Sequence, residues 1–488
     1  MENIIIHVED WSPVTKYSNW KEYIKDSKID VASKSGESKS KELGLYKYGD
    51  EYYTSGYAGI GRLRDSNGKI ITCIDKGITK ECILQIKPRF KVDQWKMLET
   101  VMKDDEFEAY ISDKPNEPNK LYEIFYDEKP IKVPVGEKGG ELILALSFLK
   151  CCQSICKKQL KAQMSFHEDN LNGKIKGKIL INKHIKKNVV MGREDRVCCQ
   201  YPTFTVDTIE NRILKNAVIK AEKIIRDVQK QLKEVSGIIH YCKTSLNHVT
   251  TVPISKNDFS KVKLTGFNSY YKPAIELAKI LLDCGSININ SNDDNKKEKM
   301  VIPYVIKMEA LFEFYIRSKI KEKIKKDKEK YKNIELDKYS GKVLNVYEPK
   351  DDKSIYLMKT YIPDIAFIDK STEGTDKYIA VFDAKYQEQD TNPAKRRNNT
   401  HQLLFYTLLL NVKKSGFIFP MKSDKTENER DKKIIAKLKI QKGTRVEANE
   451  LSDPEYSQWE LSDDVAEEDG TENNKMIDDL LNYVIQDY

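Results

Sequence analysis

The sequence has no long apolar run, no signal peptide and no Walker A motif. One of its longest apolar stretches, Leu403–Leu410, is far shorter than the ~20 residues that a membrane-spanning helix needs. The first residues, MENIIIHVEDW, lack both a basic segment and a long apolar core. Without the motif G-x-x-x-x-G-K-[ST], we expect no nucleotide hydrolysis by a P-loop mechanism. We therefore expect a cytoplasmic protein with no membrane partner.

Cysteine is sparse, and its spacing contains no zinc motif. The nine cysteines are an odd number in a long chain, which predicts reduced thiols rather than a disulfide framework. Cys151, Cys152 and Cys156 lie close together in the sequence but do not have the spacing of zinc ligands. Because cysteine is often buried as a small hydrophobic residue, we expect this group to face a helical core.

Acidic residues are outnumbered by basic ones in the body of the chain and are concentrated at its end. The net charge of +8 divides into −13 on residues 447–488, with 14 acidic residues and one basic residue, and +21 on the other 446 residues. A charge of +21 on these residues favours binding to a polyanion, although a lysine-rich surface that only keeps the protein dissolved explains the charge almost as well. With 27 Tyr and 15 Phe, disorder throughout the chain is excluded.

The apolar patterns predict a multidomain protein of mixed α/β and β-rich fold class. Strand-like runs punctuated by glycine dominate the first part, helical periodicity the second, and a third part alternates helices and strands. The predicted parts are a β-rich N-terminal domain, a mostly helical middle region, an α/β domain and an acidic C-terminal tail, at residues 1–135, 136–300, 301–460 and 461–488. Particular predictions are a helix over 207–228 with Asp207 as its N-cap, a long helix over 303–332 and a short helix over 476–485.

Two aspartates and a lysine form the most informative pattern of the sequence. Asp364 follows an Ile-Pro pair on one predicted strand, and Asp383-Ala384-Lys385 ends the next. The i, i+2 spacing places Asp383 and Lys385 on the same face of a strand, and Asp364 can come from the neighbouring strand of the same hairpin. Carboxylates suit Mg²⁺, or Mn²⁺ in its place, and a lysine beside the metal can orient or deprotonate an attacking water. We predict the two aspartates as metal ligands, the Ala384 carbonyl as a further ligand and Lys385 as the catalytic cation. The alternative is a solvated hairpin with incidental charges.

This P-D…D-x-K pattern resembles the PD-(D/E)xK nuclease superfamily. The resemblance implies that the α/β domain at 301–460 has the fold of that superfamily. It implies that an acid on the preceding helix completes the metal shell, for which Glu313 is the choice and Glu309, one turn earlier, the alternative. Gln402 and Tyr406 resemble the Q-x-x-x-Y motif of RecB-like nucleases, in which these side chains support the site and the DNA strand. Glu313 is equally well explained as an ordinary helix acid, and Tyr406 as a core aromatic.

The basic segment Lys395-Arg396-Arg397 lies between these two motifs. Its position favours contact with DNA phosphates close to the metal site. A solvated basic loop is nearly as good an explanation. The lysine-rich run 319–332 is predicted to be a solvated helix face.

Motifs outside the nuclease pattern occur in an order that resembles McrC, the nuclease subunit of McrBC-type modification-dependent restriction systems. They are Tyr57–Gly61, Leu84–Phe90, Asn172–Ile179, Asp207–Lys215 and Tyr271–Ala274, and the resemblance covers roughly residues 50–425. It implies a defence nuclease that cuts double-stranded DNA, modified or not, together with a McrB-like AAA+ GTPase ring. It also implies that residues 1–300 contact this motor and that 301–460 cut DNA.

Three functions compete on the sequence alone. The first is a Mg²⁺-dependent DNA endonuclease subunit of a McrBC-like defence system. The second is a non-catalytic adaptor that keeps a nuclease fold to bind DNA or the motor, and the third is a stand-alone RecB-like repair nuclease. The acidic tail also has two interpretations: it keeps the chain end dissolved, or it occupies the basic DNA channel until DNA or the motor displaces it.

Overall fold

The computed structural model of the chain describes most, but not all, of its residues. The described residues are 2–14, 43–65, 67–90, 92–104, 121–125, 128–129, 131–134, 139–226, 235–264, 266–283, 298–337, 344–345, 360–361, 363–371, 377–388, 393–421, 436–437, 455–461 and 475–486. Within these ranges, no helix has both the length and the apolar character that crossing a membrane requires.

Helices and several separate sheets alternate along the chain, which confirms the predicted multidomain fold class. The strands are β1 (Glu2–Glu9), β2 (Leu45–Tyr48), β3 (Glu51–Thr54), β4 (Tyr57–Arg62), β5 (Thr72–Asp75), β6 (Ile78–Lys87), β7 (Tyr122–Ile124), β8 (Ile131–Pro134), β9 (Gln163–Asn172), β10 (Lys178–Ile179), β11 (Arg196–Thr205), β12 (Glu298–Val301), β13 (Tyr304–Lys307), β14 (Ile334–Leu336), β15 (Leu344–Asn345), β16 (Thr360–Tyr361), β17 (Ile365–Asp369), β18 (Lys377–Ala384), β19 (Lys414–Pro420), β20 (Ala436–Lys437) and β21 (Glu455–Leu461). The helices are α1 (Gln94–Lys103), α2 (Gly140–Lys158), α3 (Ile181–His184), α4 (Ile209–Arg226), α5 (Val235–Ser245), α6 (Lys256–Ser260), α7 (Lys272–Asp283), α8 (Met308–Lys326), α9 (Pro393–Leu409) and α10 (Lys475–Ile485).

The chain divides into two compact units. The first unit consists of Met1–Lys132 together with Ile302–Tyr488, and the second of Val133–Val301. The N-terminal strands and the Asp383 region therefore belong to the same unit, although most of the sequence between them forms the other.

The N-terminal sheet of the first unit includes a strand from much later in the chain. Its order is β1-β6-β4-β13-β7, with β5 paired to β6. β13 runs antiparallel to both β4 and β7. Gly59 on β4 permits this close passage, because a Cβ there would lie 2.2 Å from the carbonyl oxygen of Tyr304. The strand just before α8 thus ties that helix directly to the N-terminal sheet.

The second sheet of this unit carries the predicted site. Its order is β14-β17-β18-β19-β21-β20, in which β17 is antiparallel to β18, whereas β18, β19 and β21 are mutually parallel. Parallel neighbours need a crossover connection, and α9 supplies it between β18 and β19. Apolar residues of α9 pack on both strands and on β17, and the cluster includes Ala366, Val381, Leu403, Tyr406 and Phe417. The Asp383 strand is therefore an internal strand, fixed from both edges and from one face.

The long helix predicted over 303–332 is shorter in the structure. Tyr304–Lys307 form β13, and α8 begins only at Met308 and ends at Lys326. The sequence YVIK contains β-branched and aromatic residues that fit a sheet, and pairing on both sides satisfies its backbone groups. Local helical periodicity is overridden here by a tertiary contact.

The C-terminal helix α10 is part of the core of the first unit. The helix predicted over 476–485 is confirmed, and its buried residues are Met476, Ile477, Leu480, Leu481, Tyr483 and Val484. The buried ammonium of Lys414 donates to the carbonyl oxygen of Tyr483 at 2.7 Å, and Lys323 forms an ion pair with Asp478 at 2.6 Å. The lysine-rich run 319–332 is therefore not only a solvated helix face, since Lys323 pairs with α10. The α10 part of the acidic tail packs into the core. Residues 462–474 lie outside the described residues.

The second unit combines helices α2, α4, α5 and α7 with a sheet in the order β10-β11-β9. The predicted N-cap at Asp207 is wrong, because α4 begins two residues later, at Ile209. The Asp207 carboxylate instead binds Arg212, with Nε and Nη2 donating at 2.8 and 2.7 Å. This pairing, helped by hydrogen bonds from Thr250, holds the pKa of Asp207 below its usual range. Asp207 thus anchors the start of the helix through a side-chain pair rather than by capping it.

Candidate active site

The hairpin of β17 and β18 brings Asp364, Asp383 and Lys385 together. Ile365 pairs with Phe382, so the next step of the same antiparallel register places Asp364 opposite Asp383. Lys385 follows β18, and its Nζ lies 2.7 Å from Oδ2 of Asp383. The Asp383 side chain is fully buried, at 0% exposure, because β18 is covered by neighbouring strands and by α9. The structure therefore assembles the three residues that the sequence pattern singles out.

The Asp364 residue is held from two directions. Its Oδ2 accepts a hydrogen bond from the backbone N–H of Ala384 at 2.9 Å. Its backbone carbonyl accepts a hydrogen bond from the guanidinium of Arg317, a fully buried residue of α8. Arg317 also donates to the carbonyl oxygen of Asp337, at 2.6 Å. Arg317 was not among the predicted site residues, although its position one helical turn after Glu313 could have indicated a role on the same helix face.

The electrostatics of the site are those of an acidic cluster with one cation. Burial is the largest cause that raises the pKa of Asp364 well above its usual range, followed by the charges of Glu313 and Asp383. Burial lowers the pKa of Lys385, but the carboxylates of Asp383 and Asp364 outweigh it, and the pKa is raised overall. Lys385 therefore stays positively charged at neutral pH, and the carboxylates favour the approach of a further cation.

The two glutamates of α8 face different surroundings. The negative charge of Glu313 is close enough to Asp364 to raise the pKa of Asp364, and it raises it more than the charge of Asp383 does. Glu309 is exposed and faces the N-terminal sheet: its Oε1 would lie 3.3 Å from a Cβ placed on Gly56. The predicted preference for Glu313 over Glu309 thus agrees with the geometry, while its function as a ligand stays a prediction.

Gln402 and Tyr406 interact with each other and lie beside the carboxylates. Nε2 of Gln402 donates to the hydroxyl of Tyr406 at 3.2 Å. Burial is the largest cause that raises the pKa of Tyr406, and the charges of Asp364 and Asp383 raise it further. The ring also packs in the apolar cluster beneath the sheet. Tyr406 is therefore both a core aromatic and a neighbour of the site, so the two explanations do not exclude each other.

The basic segment Lys395-Arg396-Arg397 lies on α9, so a basic loop is the wrong description of it. Arg397 is exposed. The side chains of Lys395 and Arg396 lie outside what the structure describes. The segment occupies the first turns of the helix that, two turns later, presents Gln402 and Tyr406.

Tyr386, the residue after Lys385, connects the site strand to the N-terminal sheet. Its ring packs edge-on against Phe90, with centroids 5.0 Å apart, and its hydroxyl lies near the Asp10 carboxylate. Asp10 is fully buried, and Oδ1 accepts the backbone N–H of Arg89 at 2.9 Å. Burial raises the pKa of Asp10 to about 6, against the lowering effect of the hydrogen bond from Arg89 and of the Arg89 charge. No spacing pattern in the sequence indicates this connection, because Tyr386 lies hundreds of residues from Asp10 and Phe90.

The oxygen atoms of the Asp364, Asp383 and Glu313 carboxylates and of the Ala384 carbonyl are of the kind that binds Mg²⁺. Oδ1 of the buried Asp383 accepts no hydrogen bond from the described residues, so a bound cation would pair a buried polar atom that is otherwise left without a partner. Carboxylate and carbonyl oxygens are the ligands that Mg²⁺ prefers. Within the described part of the chain, the three carboxylates of Glu313, Asp364 and Asp383 are not all within 4.8 Å of one another.

Comparisons with known proteins identify a family. The model of a family described as McrBC 5-methylcytosine restriction system component matches residues 130–420. Among solved structures, a half-complex of Thermococcus gammatolerans McrB AAA+ hexamers with bound McrC is 13% identical, with coverage of 99% of this chain and 100% of that chain and a TM-score of 0.38. The cryo-EM structure of the Thermococcus gammatolerans McrBC complex is 15% identical, with coverage of 65% of this chain and 87% of that chain and a TM-score of 0.28. No curated protein matches the chain.

Proposed function

The chain belongs to the family of McrBC 5-methylcytosine restriction system components, and on that premise we propose that it is the Mg²⁺-dependent DNA endonuclease of such a system. It would act in the cytoplasm as a defence enzyme, and it would cut double-stranded DNA together with an AAA+ motor. The observation that carries the proposal is the meeting of Asp364, Asp383 and Lys385 across one hairpin, with Nζ of Lys385 at 2.7 Å from the buried Asp383 carboxylate.

In this proposal, the carboxylates of Asp364, Asp383 and Glu313 and the carbonyl oxygen of Ala384 hold the metal. Bound there, Mg²⁺ would supply charge stabilisation and lower the pKa of a coordinated water. Arg317 fixes the Asp364 backbone, and the Ala384 N–H fixes its carboxylate, so that the ligands keep their places. Lys385 remains protonated beside them, and its ammonium can orient a water or neutralise charge that develops on the phosphate.

We propose that α9 holds the DNA strand beside these residues. The hydrogen bond between Gln402 and Tyr406 fixes the phenol next to the carboxylates, and Arg397 extends into solvent from the preceding turns. Arginine and lysine at such positions contact phosphates without reading sequence. With Lys395 and Arg396 on the same helix, this segment would place the scissile phosphate near Lys385.

We propose that the second unit contributes to docking the motor, within the wider region 1–300 that the sequence analysis assigned to this contact. Its sheet carries large apolar side chains in solvent: Met164 is 58% exposed, Phe166 64% and Phe204 80%. Phe204 lies directly across from Met164, and Phe166 is two residues along the same strand, so the three share one face. An exposed apolar patch of this kind is typical of a surface that a partner covers.

The test is DNA cleavage by the full chain with Mg²⁺, with and without a McrB-like AAA+ motor and its nucleotide. We expect cleavage only when the chain, Mg²⁺ and the motor are all present, and none with a chelator. Strong cutting by the chain alone would favour a stand-alone RecB-like nuclease. Binding to DNA or the motor with no cutting under any condition would favour a non-catalytic adaptor.

A further inference from the structure

Three thiols meet in the helical part of the second unit, which contains none of the residues of the proposed nuclease site. Cys152 and Cys156 lie one turn apart on α2, and Cys242 lies on α5. Their Sγ atoms all lie within 4.8 Å of one another. Among the described residues, no other set of three His, Cys, Asp or Glu side chains meets this distance. Since α2 and α5 pack against each other, the cluster joins two helices of this unit.

The geometry of the cluster is close to that of a metal site. An i, i+4 pair on a helix directs both side chains to one face, and the third thiol comes from the facing helix. Zn–S bonds of about 2.3 Å in a tetrahedron place sulfur atoms roughly 3.8 Å apart. The thiols are already near that spacing, so small side-chain rotations suffice to close it.

The burial of the cluster leaves one side open. Cys152 and Cys242 are both at 0% exposure, whereas Cys156 and Ser245 are partly exposed. The partly exposed pair lies where an ion from solvent can enter and where a fourth ligand can be added. Purely apolar packing would explain buried cysteines, but it would not require that three sulfurs lie within 4.8 Å of one another.

The three side chains also have the chemistry that a thiophilic ion requires. Sulfur is a soft ligand, and a cysteine binds metal as the thiolate, so binding an ion here would displace the thiol protons.

We propose that Cys152, Cys156 and Cys242 bind a thiophilic metal ion of the Zn²⁺ class, with the fourth position open to Ser245 or water. Soft thiolate ligands select such ions over the hard Mg²⁺ of the proposed nuclease site. Binding would release the thiol protons to solvent and would tie α2 to α5.

The first test is a titration of the reduced, metal-free full chain with Co²⁺ as a spectroscopic probe, followed by displacement with Zn²⁺. We expect sulfur-to-cobalt charge-transfer absorption that saturates at one equivalent and is removed by Zn²⁺. Cys156→Ser and Cys242→Ser should each weaken binding by more than the ~10–100-fold that follows when a residue hydrogen-bonded to a metal ligand is lost. Cys151→Ser, at the adjacent position of the same helix, is the matched control and should bind as the wild type does.

The second test needs no variant and so does not depend on whether one folds. Alkylation of the native chain followed by peptide mass spectrometry should show that Zn²⁺ protects Cys156 and leaves Cys151 unaffected. Equal modification of Cys156 with and without Zn²⁺, or a wild type that gives no thiolate–cobalt absorption while folded, would overturn the proposal. So would a disulfide between two of the three thiols in a chain that binds no metal, a result that points to a redox pair instead.

Discussion

At the scale of single residues, neighbouring side chains of the same type have different surroundings. Glu313 and Glu309 lie one turn apart on α8, but Glu313 acts on the pKa of Asp364, whereas Glu309 lies beside Gly56. They therefore form a pair with the same charge, helix and side-chain length, which differ in exposure and in position relative to the carboxylates.

This pair leads to the first prediction. Glu313→Gln should lower the rate of metal-dependent DNA cleavage by about 100-fold or more, because it removes a charged ligand from the site. Glu309→Gln should leave the rate within about twofold of the wild type. Single-turnover rates at several Mg²⁺ concentrations are the measurement, and equal losses in the two variants would remove Glu313 from the metal shell.

A second prediction concerns Arg317 as a positioning residue. Its guanidinium bonds the carbonyl oxygens of Asp364 and Asp337, which the single ammonium of a lysine cannot both reach in the same geometry. Arg317→Lys should lower kcat by about tenfold or more and the free energy of unfolding by about 1–3 kcal/mol, with little change in the Kd for DNA. A loss of DNA affinity with kcat unchanged would indicate a binding role instead.

Residues could be predicted from the sequence where their relation is local. Asp383 and Lys385 are two positions apart on a strand, and Asp364 lies across a hairpin, so strand geometry alone brings them together. Arg317, Asp10 and the Cys242 thiol contact partners that only tertiary folding brings near, and no spacing rule relates them. Cys151, Cys152 and Cys156 were expected to face a helical core, whereas the structure groups Cys152 and Cys156 with Cys242 of another helix and leaves Cys151 out of the cluster.

At the scale of elements, α10 shows that composition alone can mislead. The strongly acidic end of the chain contains a helix whose apolar face is buried and whose last carbonyls accept from the buried Lys414. A cation at the C-terminal end of a helix is favoured by the helix dipole. The apolar periodicity of 476–485 predicted the helix, but not the surface on which it packs.

The corresponding prediction is a stability measurement. Leu480→Ala should lower the free energy of unfolding by about 2–5 kcal/mol, because Leu480 is fully buried and the substitution leaves a cavity. Asp479→Ala, at the exposed neighbouring position, should change it by no more than about 0.5 kcal/mol. Urea unfolding of the full chain gives both values. Equally small changes in the free energy of unfolding for the two variants would mean that α10 does not contribute to the stability of the core.

Other elements were less accessible to sequence reasoning. β13 contains too few residues to show a period-2 apolar pattern. It is a strand because it pairs with β4 on one side and with β7 on the other. β21 has its apolar residues Tyr456, Trp459 and Leu461 among acids, and its parallel partner β19 lies far back in the chain. Pairing of this kind depends on long-range contacts that local propensity does not encode.

At the scale of the whole molecule, both ends of the chain build one compact unit and the middle builds another. The packing of the Tyr386 ring on Phe90 joins the site strand to the N-terminal sheet within that first unit. The net charge of +8 is a poor guide to this arrangement, since part of the acidic end is core and its partners include lysines of the basic run.

The central claim is that the carboxylates beside Lys385 cut DNA, and Asp383→Asn tests it most directly. The measurement is single-turnover cleavage with Mg²⁺ and the AAA+ partner, with Asp369→Asn as the control, since Asp369 is also buried in this sheet but bonds Ser371 at its other end. We predict that Asp383→Asn abolishes cleavage, by at least ~100-fold, while the folded chain still binds the partner, and that Asp369→Asn keeps most of it. Cleavage by Asp383→Asn at the wild-type rate would contradict the account.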